Sequence, residues 1–155
     1  MSPIPVPTSR TDEQLRDVSS ATRTRVLVAD DHARILTAVA ALLGKSFDVI
    51  ASVSDGRAAL DETLKLNPDL VILDISMHGM SGIDVARELK KHSTKTRIVF
   101  LTVHEDSQIL ASCLAAGGLG YVVKALMAAD LVPAIGEALA GRVFVSRFSS
   151  SQESA

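Results

Sequence analysis

The sequence lacks the features that mark secreted, membrane-spanning or nucleic-acid-binding proteins. Its single cysteine, Cys113, excludes an internal disulfide. No apolar run approaches the roughly 18 residues that suggest a membrane span. The N-terminus also lacks the basic start and apolar core of a secretory signal. The formal net charge of −2 gives no general attraction to nucleic acid or anionic lipid. We therefore expect a cytoplasmic protein that does not contact a membrane.

The length and the hydrophobic content of the chain are sufficient for one globular domain. Of the 155 residues, 47% are hydrophobic, which is enough to build a core at this length. Residues 1–23 are rich in proline and serine, residues 147–155 are rich in serine, and both segments are predicted to be flexible tails. The packed domain is therefore expected at residues 24–146.

Short apolar segments alternate with longer amphipathic segments between these tails. The short segments are continuous and β-branched, which is typical of strands buried on both faces of a parallel sheet. They lie at residues 25–29, 48–52, 70–73, 97–101 and 120–123. The helix-like segments lie at residues 33–43, 55–66, 82–92, 106–116 and 129–140. Pro133 fits this assignment if the last helix begins near residue 129, because the proline then falls in its first turn.

Five strand–helix units predict a doubly wound α/β fold with a five-stranded parallel sheet. The common strand order for five units is 2-1-3-4-5, as in flavodoxin-like folds. Such sheets bind ligands beyond the carboxyl ends of their strands, at the point where the winding reverses. In this chain that point lies between the first and third strands.

Acidic residues end both strands that flank this point. Asp30 and Asp31 follow the first strand, and Asp74 follows the third. At about 4 Å and an effective dielectric near 20, each like-charged pair would cost roughly 4 kcal/mol. A bound cation would relieve this repulsion, and a partly hydrated site of carboxylates suits Mg2+. One aspartate here would be an ordinary solvated residue, but three that converge favour a metal site.

The fourth and fifth strands end with groups of a different kind. Thr102 ends the fourth strand and Lys124 follows the fifth. A hydroxyl and an ammonium beside an acidic metal site are suited to binding an anion such as phosphate. Either residue alone is uninformative, so the prediction rests on their positions on consecutive strands.

Four segments occur in an order and at a spacing that identify a family. They are ADDH, LDISMHGMSG, the LT that ends the fourth strand, and AAGGLGYVVK. Together they resemble the receiver domain of bacterial two-component response regulators, and the C-terminal part resembles the NarL/FixJ subgroup. The resemblance covers residues 24–146. It implies a phosphorylation-dependent signalling switch that catalyses only its own phosphorylation and dephosphorylation.

The resemblance gives the acidic residues specific roles. Asp74 would accept a phosphoryl group from the phosphohistidine of a sensor histidine kinase or phosphotransfer protein. Asp31 would bind Mg2+ directly, and Asp30 would bind it directly or through water. Asp74 and the backbone carbonyl of Ser76 would complete the ligand set.

The resemblance also implies a switch. Lys124 would pair with the phosphoryl group, Thr102 would move to hydrogen-bond it, and Tyr121 would turn inward behind Thr102. The surface that changes would support a homodimer through three elements: helix 106–116, strand 120–123 and helix 129–140.

Three positions, His78, Gly118 and Ala125, depart from the family pattern. None of them alters the acidic cluster, Thr102 or Lys124, so phosphorylation is expected. They leave open a second interpretation, in which the same fold is a protein-interaction module that is not phosphorylated. The four histidines are expected to be ordinary loop or surface residues: His32, His78, His92 and His104.

Other functional classes fit the residues less well. A phosphatase with an aspartyl nucleophile needs an acid two residues after that nucleophile on the first strand, where this chain has His32 or Ala33. A flavin phosphate would be repelled by Asp30 and Asp31. A cobalamin-binding motif requires glycine where this chain has Ile35.

Proteins of the NarL/FixJ subgroup usually continue into a helix-turn-helix DNA-binding domain. The residues after 146 contain no recognition helix and no basic stripe, so this chain alone is not expected to bind DNA. A natural stand-alone receiver and a shortened sequence both remain open.

Overall fold

The structure is a computed structural model that describes residues 23–149. Most of the predicted tail at residues 1–23, and the end of the predicted tail at residues 147–155, lie outside this range. Among the described residues, no helix has both the length and the apolar character needed to cross a bilayer.

Five strand–helix units follow one another along the chain, as the sequence predicts. The strands are β1 (Arg25–Ala29), β2 (Asp48–Val53), β3 (Leu70–Asp74), β4 (Arg97–Thr102) and β5 (Gly120–Val123). The helices are α1 (Ala33–Leu43), α2 (Gly56–Leu66), α3 (Gly82–Lys91), α4 (Ser107–Ala115) and α5 (Met127–Leu139). A 3-10 turn at Lys124–Leu126 precedes α5, and a two-residue strand, β6 (Phe144–Val145), follows it. The doubly wound α/β fold is therefore confirmed.

The sheet has six parallel strands in the order β2-β1-β3-β4-β5-β6. The winding reverses between β1 and β3, where the predicted order places it. The sixth strand differs from the predicted five. It pairs with β5 through Gly120 and Phe144 and through Tyr121 and Val145. Two residues are too few to show a periodic pattern, so β6 has no clear mark in the sequence.

Apolar clusters cover both faces of the sheet. Every residue of β3 is buried, and its side chains alternate between the two clusters. Val71 and Leu73 pack on the side of α2, α3 and α4, while Leu70 and Ile72 pack on the side of α1 and α5. This two-sided burial explains why the strand is a continuous apolar run. Because all the strands are parallel, the polar groups at their carboxyl ends lie at one edge of the sheet.

The last helix begins earlier than predicted and contains Pro133 in its interior. The 3-10 turn leads directly into α5 at Met127, so the proline lies well beyond the first turn. An interior proline removes one helical hydrogen bond. Leu131 and Ile135 are fully buried on the sheet on either side of it. Their burial stabilises the helix through the position of the proline.

Packing also continues beyond residue 146, the predicted end of the domain. The ring of Phe148 lies 5.7 Å from that of Tyr121, measured between centroids. Ser149 donates two hydrogen bonds to Glu105. The packed structure therefore includes residues 147–149, which were predicted to begin a loose tail.

Candidate functional site

Three aspartates meet at the carboxyl edge of the sheet, where the winding reverses. Ala29 of β1 pairs with Leu73 of β3, so Asp30 and Asp74 leave adjacent strands at the same level. One carboxylate oxygen each from Asp30, Asp31 and Asp74 lies within 4.8 Å of the others. The structure thus brings together the three carboxylates that the strand order predicts to converge.

Lys124, the first residue after β5, supplies a cation to this cluster. Its Nζ lies 2.8 Å from Oδ2 of Asp30 and 3.5 Å from Oδ2 of Asp74. The side chain is only 10% exposed, so these are largely buried ion pairs. Both distances permit charge pairing, yet neither Oδ2 atom receives a hydrogen bond of acceptable geometry from the described residues. Of the two oxygens, Oδ2 of Asp74 lies farther from the ammonium and is the better placed to bind another ligand.

The two buried carboxylates are not fully compensated by Lys124. Asp30 is 1% exposed and Asp74 is 3% exposed. Burial raises the pKa of Asp74 above its ordinary value, and repulsion from Asp30 and then Asp31 raises it further. Lys124 and the backbone N–H of Ser76 oppose this shift without cancelling it. The net effect is a site that favours an added positive charge.

The donor set fits a hard divalent cation. Mg2+ prefers oxygen ligands and retains several waters, so a few carboxylates at the edge of a sheet suffice to bind it. Asp30, Asp31 and Asp74 offer such oxygens, and one from each of the two buried residues lacks a hydrogen bond. Ser76 lies two residues after Asp74 and donates its backbone N–H to Oδ1 of that residue at 3.4 Å. These residues could hold the ion.

His32 belongs to the cluster, although the sequence predicts an ordinary loop residue. Its Nδ1 lies 3.1 Å from Oδ1 of Asp30 and 3.0 Å from Oδ1 of Asp31. Its backbone N–H also donates to Oδ1 of Asp30 at 2.9 Å. The ring is 66% exposed, so it contacts the two acids from the solvent side. Its position in the sequence could have indicated this contact. His32 directly follows Asp30 and Asp31 and directly precedes α1, so the chain keeps it close to both acids.

Thr102 is fully buried at the end of β4, next to β3. The preceding residue, Leu101, pairs with Asp74, so Thr102 lies one residue beyond the level of Asp74 along the sheet. Its Oγ1 accepts a hydrogen bond from the backbone N–H of His104 at 3.1 Å. The hydroxyl is thus held by the loop after β4.

His104 connects several of the predicted residues. The hydroxyl of Tyr121 donates to the carbonyl of His104 at 2.8 Å. The Nε2 atom of His104 lies 3.0 Å from Oγ of Ser76, which joins the loop after β3 to the loop after β4. His104 was predicted to be an ordinary histidine, and its place between two loops depends on their conformation.

Tyr121 already points inward in this structure. It is fully buried, whereas the resemblance implied an inward turn that accompanies phosphorylation. Phe148 packs against its ring, and the loop after β4 holds its hydroxyl. The sequence could not reveal this position, because it depends on Phe148, outside the predicted domain, and on the conformation of the loop after β4.

Glycines allow close packing against β3 and β4. A Cβ at Gly82 would lie 2.1 Å from the carbonyl oxygen of Asp74, so only glycine lets α3 begin against that strand. A Cβ at Gly118 would lie 2.5 Å from the buried ring of Phe100. Gly118 is one of the departures from the family pattern, and the position of Phe100 explains it.

Comparisons with known proteins agree with this geometry. The profile of the response regulator receiver domain family matches residues 26–136. The nitrate/nitrite response regulator protein NarL of Escherichia coli K12 is 32% identical over 123 residues, which are 78% of this chain and 57% of NarL. The chain thus spans little more than half the length of this curated relative.

Solved structures give the same result. The signal receiver domain of a NarL response regulator from Mycobacterium tuberculosis superposes with a TM-score of 0.74 and is 30% identical, covering 77% of this chain and 98% of that one. The isolated receiver domain of RcsB from Salmonella enterica serovar Typhimurium, solved with the phosphomimetic BeF3−, gives a TM-score of 0.75 at 27% identity. That match covers 84% of this chain and 98% of the other.

Proposed function

Because this chain belongs to the response regulator receiver domain family, we propose that it is a phosphorylation-dependent switch whose phosphoacceptor is Asp74. The observation that supports this most directly is the state of the Asp74 carboxylate. It lies at the end of the central acceptor strand, its Oδ2 lacks a hydrogen bond, and Lys124 lies 3.5 Å away. A buried carboxylate with a free oxygen and a neighbouring cation is suited to nucleophilic attack on phosphorus.

The proposed reaction transfers one phosphoryl group to the carboxylate. An oxygen of Asp74 attacks the phosphorus of a phosphohistidine, and the phosphorus–nitrogen bond breaks with its electron pair returning to the imidazole. The product is an aspartyl phosphate. Lys124 pairs with the new phosphoryl oxygens, and Thr102 donates its hydroxyl to one of them after giving up its contact with His104. Positioning and charge stabilisation account for most of the catalysis in such transfers.

The same carboxylates would hold a divalent cation. Asp30, Asp31 and Asp74, with the carbonyl of Ser76, are the residues that we assign to Mg2+. When bound, the ion supplies positive charge that offsets the negative charge of the phosphoryl oxygens. With that charge in place, Lys124 would no longer have to compensate two buried carboxylates by itself.

The donor would be a sensor histidine kinase or a phosphotransfer protein. The cytoplasm is the compartment that we assign to the reaction, because histidine kinases form phosphohistidine from ATP. The chain acts on itself only, since the phosphoryl group resides on its own side chain. A protein-interaction module that is not phosphorylated is the less favoured alternative, because it does not account for buried acids clustered around Lys124.

A phosphorylation-strengthened homodimer through α4, β5 and α5 is a further part of the proposal. Exposed apolar side chains on α4 and α5, including Leu114 and Val132, support it. Sedimentation with and without a phosphodonor tests it, and identical monomers under both conditions would exclude it.

Intact-mass analysis tests the phosphoacceptor. Incubation with acetyl phosphate and Mg2+ should add the mass of one phosphoryl group to the wild type and none to Asp74→Asn. Asp61→Asn makes the same chemical change on α2, where the aspartate is exposed and paired with Arg57. This control should be phosphorylated like the wild type. Modification of Asp74→Asn, or none in the wild type, would refute the assignment.

A further inference from the structure

The segment after α5 forms a packed element along the outer edge of β5. We name residues 144–149 the C-terminal strap. The backbone N–H groups of Phe144 and Ser146 donate to the carbonyls of Leu119 and Tyr121, each at 2.8 Å. The strap therefore closes a sheet edge whose backbone groups would otherwise be unpaired.

Ser146 fastens the strap to both β5 and α5. The residue is 2% exposed. Its hydroxyl donates to Oδ2 of Asp130 at 2.6 Å and accepts a hydrogen bond from the backbone N–H of Val123 at 3.1 Å. A buried serine with both bonding directions satisfied indicates a specific docked position for this segment.

The far end of the strap reaches Tyr121 and the loop after β4. The ring of Phe148 lies 5.7 Å from the ring of Tyr121 at an interplanar angle of 51°. Ser149 donates its N–H and its hydroxyl to Oε1 of Glu105, at 2.6 and 2.9 Å. Glu105 directly follows His104, whose carbonyl accepts the Tyr121 hydroxyl. The strap therefore contacts the ring of Tyr121 and the loop that holds its hydroxyl.

We propose that the C-terminal strap locks Tyr121 in its buried position and thereby tunes how readily the site adopts the phosphorylated state. Tyr121 lies on the strand whose edge the strap covers, so its movement toward that edge requires displacement of Phe148. Strap docking and tyrosine burial therefore stabilise each other. The second half of the proposal rests on the proposed function, in which an inward tyrosine accompanies phosphorylation.

Reciprocity fixes the expected direction of the coupling. If the docked strap favours the phosphorylated arrangement, a phosphoryl mimic must in turn strengthen strap docking. Three strap amides report docking, because those of Phe144, Ser146 and Ser149 donate to acceptors outside the strap. Their hydrogen exchange should slow when the mimic binds.

Tyrosine fluorescence tests the lock without any phosphorylation. Tyr121 is the only tyrosine and the chain has no tryptophan, so its emission is observed alone. Phe148→Ala should give a several-fold increase in quenching of Tyr121 by acrylamide. Val143→Ala removes an exposed side chain just before the strap and should leave quenching unchanged. Unchanged quenching in a folded Phe148→Ala protein would overturn the lock.

A second variant covers the case in which Phe148→Ala does not fold. Glu105→Ala removes the partner of Ser149 at the surface and leaves the packing of the core intact. It should raise quenching of Tyr121 by a smaller amount. If a folded Glu105→Ala protein shows neither increased quenching nor faster exchange of the Ser149 amide, the strap does not act on Tyr121.

Titration with BeF3− in the presence of Mg2+ tests the coupling. The wild type should bind the mimic with protection of the strap amides, and Phe148→Ala should bind it about fivefold or more weakly. Equal affinities would refute the coupling and leave the phosphoacceptor assignment standing. Absence of binding to the wild type would refute the proposed function and with it the coupling, while the quenching result would still decide the lock.

Discussion

Replacing Asp74 with asparagine should make the protein more stable at neutral pH when no divalent cation is present. The Asp74 and Asp30 oxygens lie within 4.8 Å of each other, which corresponds to a repulsion of at least about 3.5 kcal/mol at an effective dielectric near 20. Lys124 lies 3.5 Å from Asp74 and attracts it by about 4.7 kcal/mol at the same dielectric. Asp31 is partly solvated and adds roughly 1 kcal/mol of repulsion. The charge interactions of Asp74 therefore nearly cancel.

The cost of burying the Asp74 charge then decides the sign. Burial is the largest cause of the raised pKa of Asp74, which is only 3% exposed. Burying an ion costs several kcal/mol of desolvation free energy, and burying an amide costs less. We therefore expect Asp74→Asn to raise the free energy of unfolding by about 2 kcal/mol. A raised pKa in the folded state means that this group favours folding most below its ordinary value of 3.8 and loses that contribution as pH rises through the folded pKa. The gain should therefore be largest at neutral pH and shrink on acidification.

Urea unfolding followed by circular dichroism measures this difference. The gain should be present in EDTA and should diminish in excess Mg2+, because the ion stabilises the wild type by mass action and the variant has lost a ligand. Asp61→Asn, on the exposed face of α2, should change stability by less than about 0.5 kcal/mol. Asp74→Asn that is no more stable than the wild type in EDTA would refute the electrostatic reasoning.

Four further predictions concern buried groups and the packing of the backbone. Lys124→Ala should lower the free energy of unfolding by about 3 kcal/mol, because it removes the ammonium that lies 2.8 Å from the buried carboxylate of Asp30; urea unfolding measures the loss. Gly82→Ala should lower the free energy of unfolding by about 1–3 kcal/mol, because its Cβ would overlap the carbonyl oxygen of Asp74. Gly136→Ala should raise the free energy of unfolding by about 1 kcal/mol, because alanine favours a helix and nothing lies within 4 Å of the new Cβ in α5. Thermal unfolding of the two glycine variants measures both effects. Burial raises the pKa of Cys113 to about 12, so a thiol reagent at neutral pH should label it only after unfolding.

The fold could be predicted because its strands are buried on both faces. Residues 70–73 form a continuous apolar run, and the whole of β3 is buried. Features that depend on a few residues or on tertiary packing could not be predicted. β6 is too short for a pattern, and α5 extends through Pro133 because buried neighbours outweigh a local preference.

The same distinction applies to the site, where some residues could be predicted from strand order and others depend on loop conformation. Strand order alone brings Asp30, Asp31 and Asp74 to one edge, since each ends a strand or lies within two residues of its end. The contacts of His32 and His104 depend on how loops turn and which way each ring points. Neither is fixed by spacing along the chain. Histidine is also common on loops without any role, so its presence there predicts little.

Thr102 and Tyr121 are joined to the loop after β4 through backbone atoms, and this limits how their contacts with the loop can be interrupted. Thr102 and Tyr121 both bond to main-chain atoms of His104, one to its N–H and the other to its carbonyl. A substitution at His104 therefore removes only the side-chain contact with Ser76 and leaves both of these bonds in place. Coupling between two sites requires an element that both of them bias, and here that element is the loop after β4 rather than any one side chain. The strap is attached to the same loop through Glu105, so it can oppose or assist a movement of the loop without contacting the acidic cluster.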